Sequence, residues 1–284
     1  MPQLIDGKRI SAEIKEELKV KVAKMQEHNI HVCLAVVQVG EDAASSIYVR
    51  NKEKACAYIG IESRVCRLPE ETSEEELLEV IKELNEDSVV NGILVQLPLP
   101  AHIDEKKVIE AISLEKDVDG FHPQSLGNLC SNSDGFEPCT PSGVIELLKR
   151  SEIQISGKHC VVMGRSNIVG KPAALLLLRE NGTVTIVHSK TENLKEITSQ
   201  ADILVVAIGV PKFVTSDFVK EGAVVIDVGM HRDEENKLCG DVDFDDVKDK
   251  VAAITPVPGG VGPMTIAMLM KNCIHSAEFQ EVIK

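Results

Sequence analysis

Tyr48 and Lys52 stand four residues apart in the segment "SSIYVRNKEKAC", which is expected to be helical. Side chains four positions apart lie on one face of a helix, so the phenol and the amine could act on the same group. A lysine amine can transfer protons if its pKa falls towards neutrality, and most lysines are instead solvated. The spacing therefore permits a catalytic pair, and an ordinary surface lysine remains the alternative.

Polar side chains follow the expected strands of the same half of the chain. Gln96 ends the apolar run "ILVQL", and Asp117 and Asp119 lie in "KDVDGF". Ligands of open α/β sheets bind at the carboxyl ends of the strands, so these groups are candidates for a binding site. Either aspartate could instead form an Asx turn, which is common in Asp-Gly sequences.

A possible anion-binding turn lies in "VVMGRSNIVGKP", residues 161–172. Its pattern of strand, glycine turn and helix start, through Gly164, Arg165, Ser166 and Gly170, suits a pyrophosphate, which backbone N–H groups and the helix dipole would bind. The glycine spacing is not that of the GxGxxG fingerprint. Dinucleotide binding and a plain βα turn therefore both remain open.

The end of the next expected strand bears on the choice of dinucleotide. NAD-binding proteins usually carry an acidic residue there for the ribose 2′-hydroxyl, but "TIVHSKT" supplies Ser189 and Lys190. A hydroxyl with Arg165 and Lys190 nearby would accept a 2′-phosphate, which a carboxylate would repel. The sequence therefore favours NADP, the alternative being that Ser189 only begins a turn.

A third segment, "TPVPGGVGPMT" (residues 255–265), combines prolines and glycines after the last strand of the nucleotide-binding half. Proline restricts the backbone and glycine allows a ligand to approach it closely. We expect a rigid loop in contact with a flat ligand, through Pro258 and Gly259 among others.

These candidates are positioned by alternating segments of strand and helix length, which predicts an α/β fold with largely parallel sheets. We expect two α/β domains with a cleft between them, the second a Rossmann-like dinucleotide-binding domain. The predicted boundaries are 1–139 for the first domain, with the final apolar helix 264–284 packing back on it, and 140–263 for the second. Ser11 is expected to cap the first helix, and Val118–Pro141 to be an irregular crossover.

Composition excludes several classes of protein. The 284 residues are 43% hydrophobic, enough for two cores, and the net charge of −14 argues against nucleic acid as a partner. No apolar run approaches the roughly 18 residues that would span a bilayer, and no targeting segment is evident. Eight cysteines without CxxC or zinc-ligand spacing predict reduced thiols and no metal site. We therefore expect a cytoplasmic protein without a membrane partner.

Eight motifs, in chain order across nearly the whole sequence, resemble the bifunctional methylenetetrahydrofolate dehydrogenase/methenyltetrahydrofolate cyclohydrolase family, of the bacterial two-activity type. They are "YVRNKEKA", "VQLPLP", "KDVDGFHP", "PCTPSGV", "GRSNIVGKP", "HSKT", "VIDVG" and "PVPGGVGPMT". The resemblance implies a folate site in the cleft between the domains and NADP(H) on the second domain. It also implies a role in one-carbon metabolism and purine biosynthesis, and a homodimer.

The resemblance also assigns roles to individual residues. The family's catalytic lysine corresponds to Lys52, its tyrosine to Tyr48 and its glutamine partner to Gln96. Its pterin-binding aspartate corresponds to Asp119, and its folate-contacting loop to Pro258 and Gly259. The contacts of the cofactor correspond to four residues of the second domain: Gly164, Arg165, Ser166 and Ser189. A shikimate-dehydrogenase-like oxidoreductase and a dinucleotide sensor without catalysis are the rival hypotheses.

Overall fold

The computed structural model describes residues 2–283, and the side chains of all of these except 43, 44, 282 and 283; residues 1 and 284, at the ends of the predicted ranges, lie outside it. The chain forms two compact units. The first unit comprises Glu13–Cys139 and the described residues from Ile266 onward. The second unit comprises the described residues up to Ala12 and Thr140–Thr265. Both contain parallel sheets with helices, which confirms the predicted α/β class.

A three-stranded parallel sheet forms the centre of the first unit, with strand order β3-β2-β4. Its strands are β2 (Cys33–Val39), β3 (Glu62–Leu68) and β4 (Gly92–Val95). Every residue of β2 is buried, as expected for the central strand of a covered parallel sheet. The helices that lie mainly in this unit are α1 (Gly7–Glu27), α2 (Ala43–Ile59), α3 (Glu74–Glu86), α4 (Glu105–Ala111), α5 (Pro123–Ser131) and α10 (Val261–Ile283). A 3₁₀ turn is formed by Leu114–Lys116.

The bounds of α2 and α3 follow from local chemistry in the sequence. Asp42 caps α2 by accepting a hydrogen bond from the Ser45 amide, and Gly60 ends it with a left-handed φ of 95°. Ser73 and Glu76 form a capping box at the start of α3. The helix that carries Tyr48 and Lys52 is therefore well delimited.

Two predictions for local structure were wrong. Ser11 does not cap α1, because the helix already begins at Gly7; the Ser11 hydroxyl is buried and has no hydrogen-bond partner among the described residues. The stretch Val118–Pro141 is not wholly irregular, because it contains α5. There Pro123 occupies the first turn, and the His122 side chain accepts a hydrogen bond from the Gln124 amide. This helix is short and lacks a clear apolar periodicity, so the hydrophobic pattern of the sequence did not predict it.

A six-stranded parallel sheet forms the second unit, with strand order β1-β11-β8-β7-β5-β6. The chain leaves the central strand β5 for β6 on one side and then returns to β7 on the other. That reversal is the topological switch point at which doubly wound sheets bind nucleotides. The strands are β1 (Gln3–Leu4), β5 (His159–Met163), β6 (Thr183–Val187), β7 (Ile203–Val206), β8 (Val224–Asp227) and β11 (Ala253–Ile254).

The remaining elements of the second unit cover this sheet or extend from it. They are α6 (Cys139–Arg150), α7 (Gly170–Arg179), α8 (Leu194–Thr198), α9 (Phe244–Val247), a 3₁₀ turn at Ser216–Phe218, and a hairpin of β9 (His231–Arg232) with β10 (Leu238–Cys239). Among residues 2–283, no helix is long and apolar enough to cross a membrane.

Candidate active site

Lys52 lies on α2 with only 7% of its surface exposed. Its Nζ donates a hydrogen bond of 2.9 Å to Gln96 Oε1. Gln96 follows β4, and its backbone amide donates to the Val37 carbonyl, which extends the pairing with β2 by one residue. The Gln96 Nε2 is engaged by the Leu97 carbonyl at 2.6 Å, so Oε1 is the atom left to face the lysine. The helix and the strand end thus fix the Lys52 amine in one direction.

Asp119 and Cys139 complete the surroundings of this amine. Burial lowers the pKa of Lys52, and the nearby charge of Asp119 acts in the opposite direction. Burial likewise raises the pKa of Asp119, opposed by the charge of Lys52 and by a hydrogen bond from Cys139. The pKa of the Cys139 thiol lies well above its ordinary value, because it is buried beside Asp119. The thiol therefore stays protonated at neutral pH and can serve as a donor to the carboxylate.

Tyr48 lies one turn before Lys52 on α2, and its side chain is half-buried. Burial raises the pKa of the phenol above its ordinary value. At neutral pH Tyr48 is therefore an uncharged hydroxyl, able to donate a hydrogen bond on the face of the helix that carries the amine.

Asp117 differs from Asp119 in its environment. Its carboxylate accepts hydrogen bonds from the backbone amides of Phe121 and His122 and from the Ser125 hydroxyl, at 3.2, 2.9 and 2.7 Å. Burial raises its pKa to about 7. Asp117 accepts from amides four and five residues further on, rather than two as in an Asx turn, and so holds the loop together, whereas Asp119 lies beside Lys52.

The glycine turn after β5 has no room for side chains. Gly164 has a φ of 125°, and a Cβ on it would lie 2.2 Å from the Ala207 carbonyl oxygen. A Cβ on Gly170 would lie 2.4 Å from the Gly164 carbonyl oxygen. The Ser166 hydroxyl accepts hydrogen bonds from the amides of Val169 and Gly170, both at 3.2 Å. The spacing differs from GxGxxG, but the two glycines still perform the tight turn and the close approach that the fingerprint provides.

Replacing Gly170 by alanine is expected to destabilise the second unit by about 1–3 kcal/mol, because the new methyl group must displace a backbone carbonyl. Gly127→Ala in α5 is the matched control, since a Cβ there meets nothing within 4 Å and alanine favours helix. Urea denaturation of both variants provides the measurement. Equal stability of the two would contradict the close packing of this turn.

Arg165 and Ser189 emerge at the same edge of the sheet. Met163 pairs with Val187, and the Gly164 amide donates to the Val187 carbonyl at 2.9 Å, so the two residues follow directly from paired strand ends. Both side chains are exposed. The first acidic residue after β6 is Glu192, beyond the turn closed by Thr191 and the His188 carbonyl. This edge therefore offers a cation and a hydroxyl, the donors that a 2′-phosphate requires.

The glycine and proline loop between β11 and α10 is held by backbone contacts with the start of α1. The Gly259 carbonyl accepts from the Lys8 amide at 3.0 Å, and Gly259 has a φ of 107°, which favours glycine. A Cβ on Gly7 would lie 1.8 Å from the Gly260 carbonyl oxygen. Pro258 is exposed next to these glycines. The loop is thus fixed at its base, with Pro258 at its surface.

Sequence reasoning missed two buried aspartates in the second unit. Asp227, at the end of β8, accepts from the amides of Gly229, Asp241 and Val242, all at 2.9 Å. Asp241 in turn accepts from the three consecutive amides of residues 208–210 after β7, at 2.8–3.1 Å, and pairs with His231 at 2.8 Å. Together they hold the loops at the carboxyl edge of the sheet. The only signal in the sequence was an aspartate within two residues of a glycine in "VIDVG" and "CGDVD".

The described residues offer neither a metal site nor a disulfide. Across residues 2–283, no group of three or more His, Cys, Asp and Glu side chains is arranged to hold a metal ion. All eight cysteines are free thiols.

Two family models match the chain, one over each half. The catalytic domain of tetrahydrofolate dehydrogenase/cyclohydrolase matches residues 5–119, and its NAD(P)-binding domain matches residues 138–281. The chain belongs to the tetrahydrofolate dehydrogenase/cyclohydrolase family. The resemblance drawn from the eight motifs is thereby confirmed.

Relatives match over nearly their full length. A bifunctional protein FolD from Lachnoclostridium phytofermentans is 67% identical over 98% of this chain and 99% of its own. A crystal structure of the bifunctional enzyme from Campylobacter jejuni is 51% identical with a TM-score of 0.96, covering 98% of this chain and 99% of its own. The dehydrogenase-cyclohydrolase of Trypanosoma brucei, solved with NADP cofactor and an inhibitor, is 39% identical with a TM-score of 0.92, over 98% and 99% of the two chains.

The rival hypothesis of a shikimate-dehydrogenase-like enzyme finds only distant similarity. Shikimate 5-dehydrogenase from Thermus thermophilus is 16% identical, with a TM-score of 0.51 over 88% of this chain and 99% of its own. That likeness shows a shared fold and carries no argument about the substrate.

Proposed function

We propose that this protein oxidises 5,10-methylenetetrahydrofolate with NADP and then hydrolyses the resulting 5,10-methenyltetrahydrofolate to 10-formyltetrahydrofolate. The observation that carries the proposal is the joint presence, in a member of this family, of the buried Lys52–Gln96 pair beside Asp119 and of a cofactor edge that carries Arg165 and Ser189. A dinucleotide sensor without catalysis has no use for a buried amine held by an amide oxygen.

Residues of the second unit fit NADP. The turn at Gly164 and Gly170 has no room for a Cβ at either glycine, and Ser166 fixes its shape through two backbone amides. Arg165 and Ser189 would bind the 2′-phosphate. When bound, the cofactor supplies a nicotinamide that accepts hydride from the folate. The protein's contribution to that step is to align the two rings.

Lys52 serves the hydrolytic step in this proposal. Water must add to the methenyl carbon, lose a proton and allow the ring to open, so a group that moves protons is needed. A solvated lysine amine, with a pKa near 10.4, is almost entirely protonated at neutral pH and so cannot serve as a base. Burial lowers the pKa of Lys52, and a cationic substrate would lower it further. Gln96 accepts a hydrogen bond from the amine and so sets its direction.

Asp119 binds the pterin ring in this proposal. A carboxylate can accept two parallel N–H bonds from the ring, which fixes its plane. Tyr48, as a neutral phenol, adds a hydrogen-bond donor near the amine. Pro258 and Gly259 supply a rigid loop that contacts the folate. The first domain (1–139 with helix 264–284) is assigned to folate and catalysis, and the second (140–263) to NADP.

A spectrophotometric assay tests the function directly. With 5,10-methylenetetrahydrofolate and NADP, the purified protein is expected to produce NADPH, and added 5,10-methenyltetrahydrofolate is expected to disappear. Shikimate and NADP serve as the comparison, because turnover of shikimate without turnover of the folates would select the rival hypothesis.

We propose further that the enzyme is a cytoplasmic homodimer whose product serves purine biosynthesis. Support for the dimer comes from the second unit, where β6 is the last strand of its sheet and five residues long. Its sequence, "TVTIV", carries no charge, and Ile186 and neighbouring Leu178 are exposed. Such an edge can pair with a second copy of itself about a twofold axis.

Ile186→Lys is expected to convert the dimer to a monomer, because it places two like charges at the axis. Leu4→Lys is the matched control, since Leu4 is exposed on the two-residue strand β1 at the opposite edge of the same sheet. Light scattering at micromolar concentration gives the masses. A monomeric unmodified protein would refute the dimer, and a dimeric Ile186→Lys variant would refute this interface.

A further inference from the structure

Helix α10 carries three polar side chains in a stripe: Asn272, Ser276 and Gln280. Residues four apart lie on one face of a helix, so the three form a line along it. Cys273, Ile274 and Ala277 are buried between the members of this stripe. Ser276 itself is fully buried. Buried polar groups in an apolar helix require partners, and each member of the stripe has them.

Asn272 bridges the two segments that carry Asp119 and Cys139. Its Nδ2 donates to the Val118 carbonyl at 2.9 Å and to the Glu137 carbonyl at 2.9 Å. Val118 directly precedes Asp119, and Glu137 lies two residues before Cys139. The same nitrogen lies 3.6 Å from Cys139 Sγ. One amide group therefore fixes the spacing between the carboxylate segment and the thiol segment.

The remainder of the stripe secures the base of the same loop. The Ser276 hydroxyl lies 2.6 Å from the carbonyls of both Asn91 and Glu115. Gln280 Nε2 donates to the backbone carbonyl of Asn91 at 3.0 Å, and Gln280 Oε1 accepts from the side-chain Nδ2 of Asn91 at 3.0 Å. These contacts lie directly before β4 and within the 3₁₀ turn, so they hold the loop at its start rather than at Asp119.

We infer that Asn272 is a positioning residue for the reaction: it holds Asp119 and Cys139 at their working distance from the Lys52 amine. The inference rests on the proposed role of Lys52 and Asp119. Upstream of Asp119, Asp117 bridges to Ile93 of β4, and downstream it binds the amides of Phe121 and His122. Between these anchors, the Val118 carbonyl accepts hydrogen bonds from the side chain of Asn272 and from the thiol of Cys139.

The test compares Asn272→Leu with Gln280→Leu. Both changes keep the bulk and remove a donor from the same stripe, but only the first removes the donor next to Asp119. Asn272→Leu is expected to reduce kcat/KM for methenyl hydrolysis about tenfold or more, since a displacement near 1 Å can cost far more. NADP affinity is expected to be unchanged in both variants, and Gln280→Leu is expected to hydrolyse at close to the unmodified rate.

A second readout separates positioning from a general structural defect. The charge of Asp119 raises the pKa of Lys52, as do the nearby Cys139 and Cys56 to a smaller extent. If Asp119 moves away, the pKa of Lys52 must fall. NMR titration of ¹³Cε-labelled lysines in the unliganded protein is therefore expected to show a lower Lys52 pKa in Asn272→Leu and the unmodified value in Gln280→Leu.

Asn272→Ser provides a variant with a smaller disturbance, because its hydroxyl can still donate to one of the two carbonyls. It is expected to give intermediate activity and an intermediate Lys52 titration. An unchanged Lys52 titration in folded Asn272→Leu or Asn272→Ser would overturn the inference. Absence of methenyl hydrolysis in the unmodified protein would instead refute the proposed function, and the lysine titration would still report on Asn272.

Discussion

Lys52→Met is expected to lower methenyl hydrolysis by at least about 10²-fold, the lower end of the range for general acid–base catalysis. Methionine keeps the length of the stem and removes the amine that Gln96 binds at 2.9 Å. Lys52 is only 7% exposed, so bulk water has little access to the position of the amine. The loss should therefore appear in kcat, because the missing group acts on the proton transfers rather than on binding alone.

The two activities are expected to respond unequally. Hydride transfer depends on the alignment of two rings, to which Lys52 contributes only by positioning the folate, so dehydrogenase turnover should fall less than hydrolysis. NADP affinity should remain within about twofold, because the groups that bind it lie on the second unit. Measuring methenyl formation, methenyl hydrolysis and NADP binding on one preparation distinguishes these effects.

Lys54→Met is the matched control for this variant. Lys54 is two residues further along the same helix and is exposed, so its loss should leave both activities unchanged. Circular dichroism would show that each variant keeps its fold. Hydrolysis at close to the unmodified rate in folded Lys52→Met would remove Lys52 from the mechanism, and the buried pair with Gln96 would then be only structural.

The sequence predicted the class of fold and the elements that carry strong local signals. The apolar runs "ILVQL" and "VVMG" correctly predicted β4 and β5, because a covered parallel strand is apolar along almost its whole length. Helix α5 was not predicted, since its nine residues depend on His122 and Pro123 rather than on periodicity.

The environment of the candidate site was less accessible to sequence reasoning. Spacing could place Tyr48 and Lys52 on one face, but it could not show that Lys52 is buried, which is the property that lowers its pKa. Cys139 was only part of a motif until the fold brought it beside Asp119. The roles of Asp241 and Asn272 depend on carbonyls and amides more than 20 residues away, and no local pattern records such contacts.

Arg165→Ala is expected to weaken NADP binding by roughly ten- to a hundredfold, the equivalent of about 1.5–3 kcal/mol for hydrogen bonds to a charged group. Binding of NAD should change by no more than about twofold, because NAD lacks the 2′-phosphate that the guanidinium is proposed to bind. The effect should also decrease as salt rises, since both Arg165 and Ser189 are exposed and their attraction for phosphate is screened.

Lys171→Ala is the control for Arg165→Ala, because Lys171 lies in the same turn with its amine held by Asn167 at 2.7 Å. Removing that cation lowers the positive charge of the turn by the same amount but removes no direct donor to the proposed phosphate site. If general electrostatic attraction governs binding, the two variants should lose NADP affinity equally. If Arg165 makes a directed contact, only Arg165→Ala should change the ratio of NADP to NAD affinity, which fluorescence titration of both cofactors measures. If Arg165→Ala weakened the binding of NADP and of NAD equally, Arg165 would not be a ligand of the 2′-phosphate.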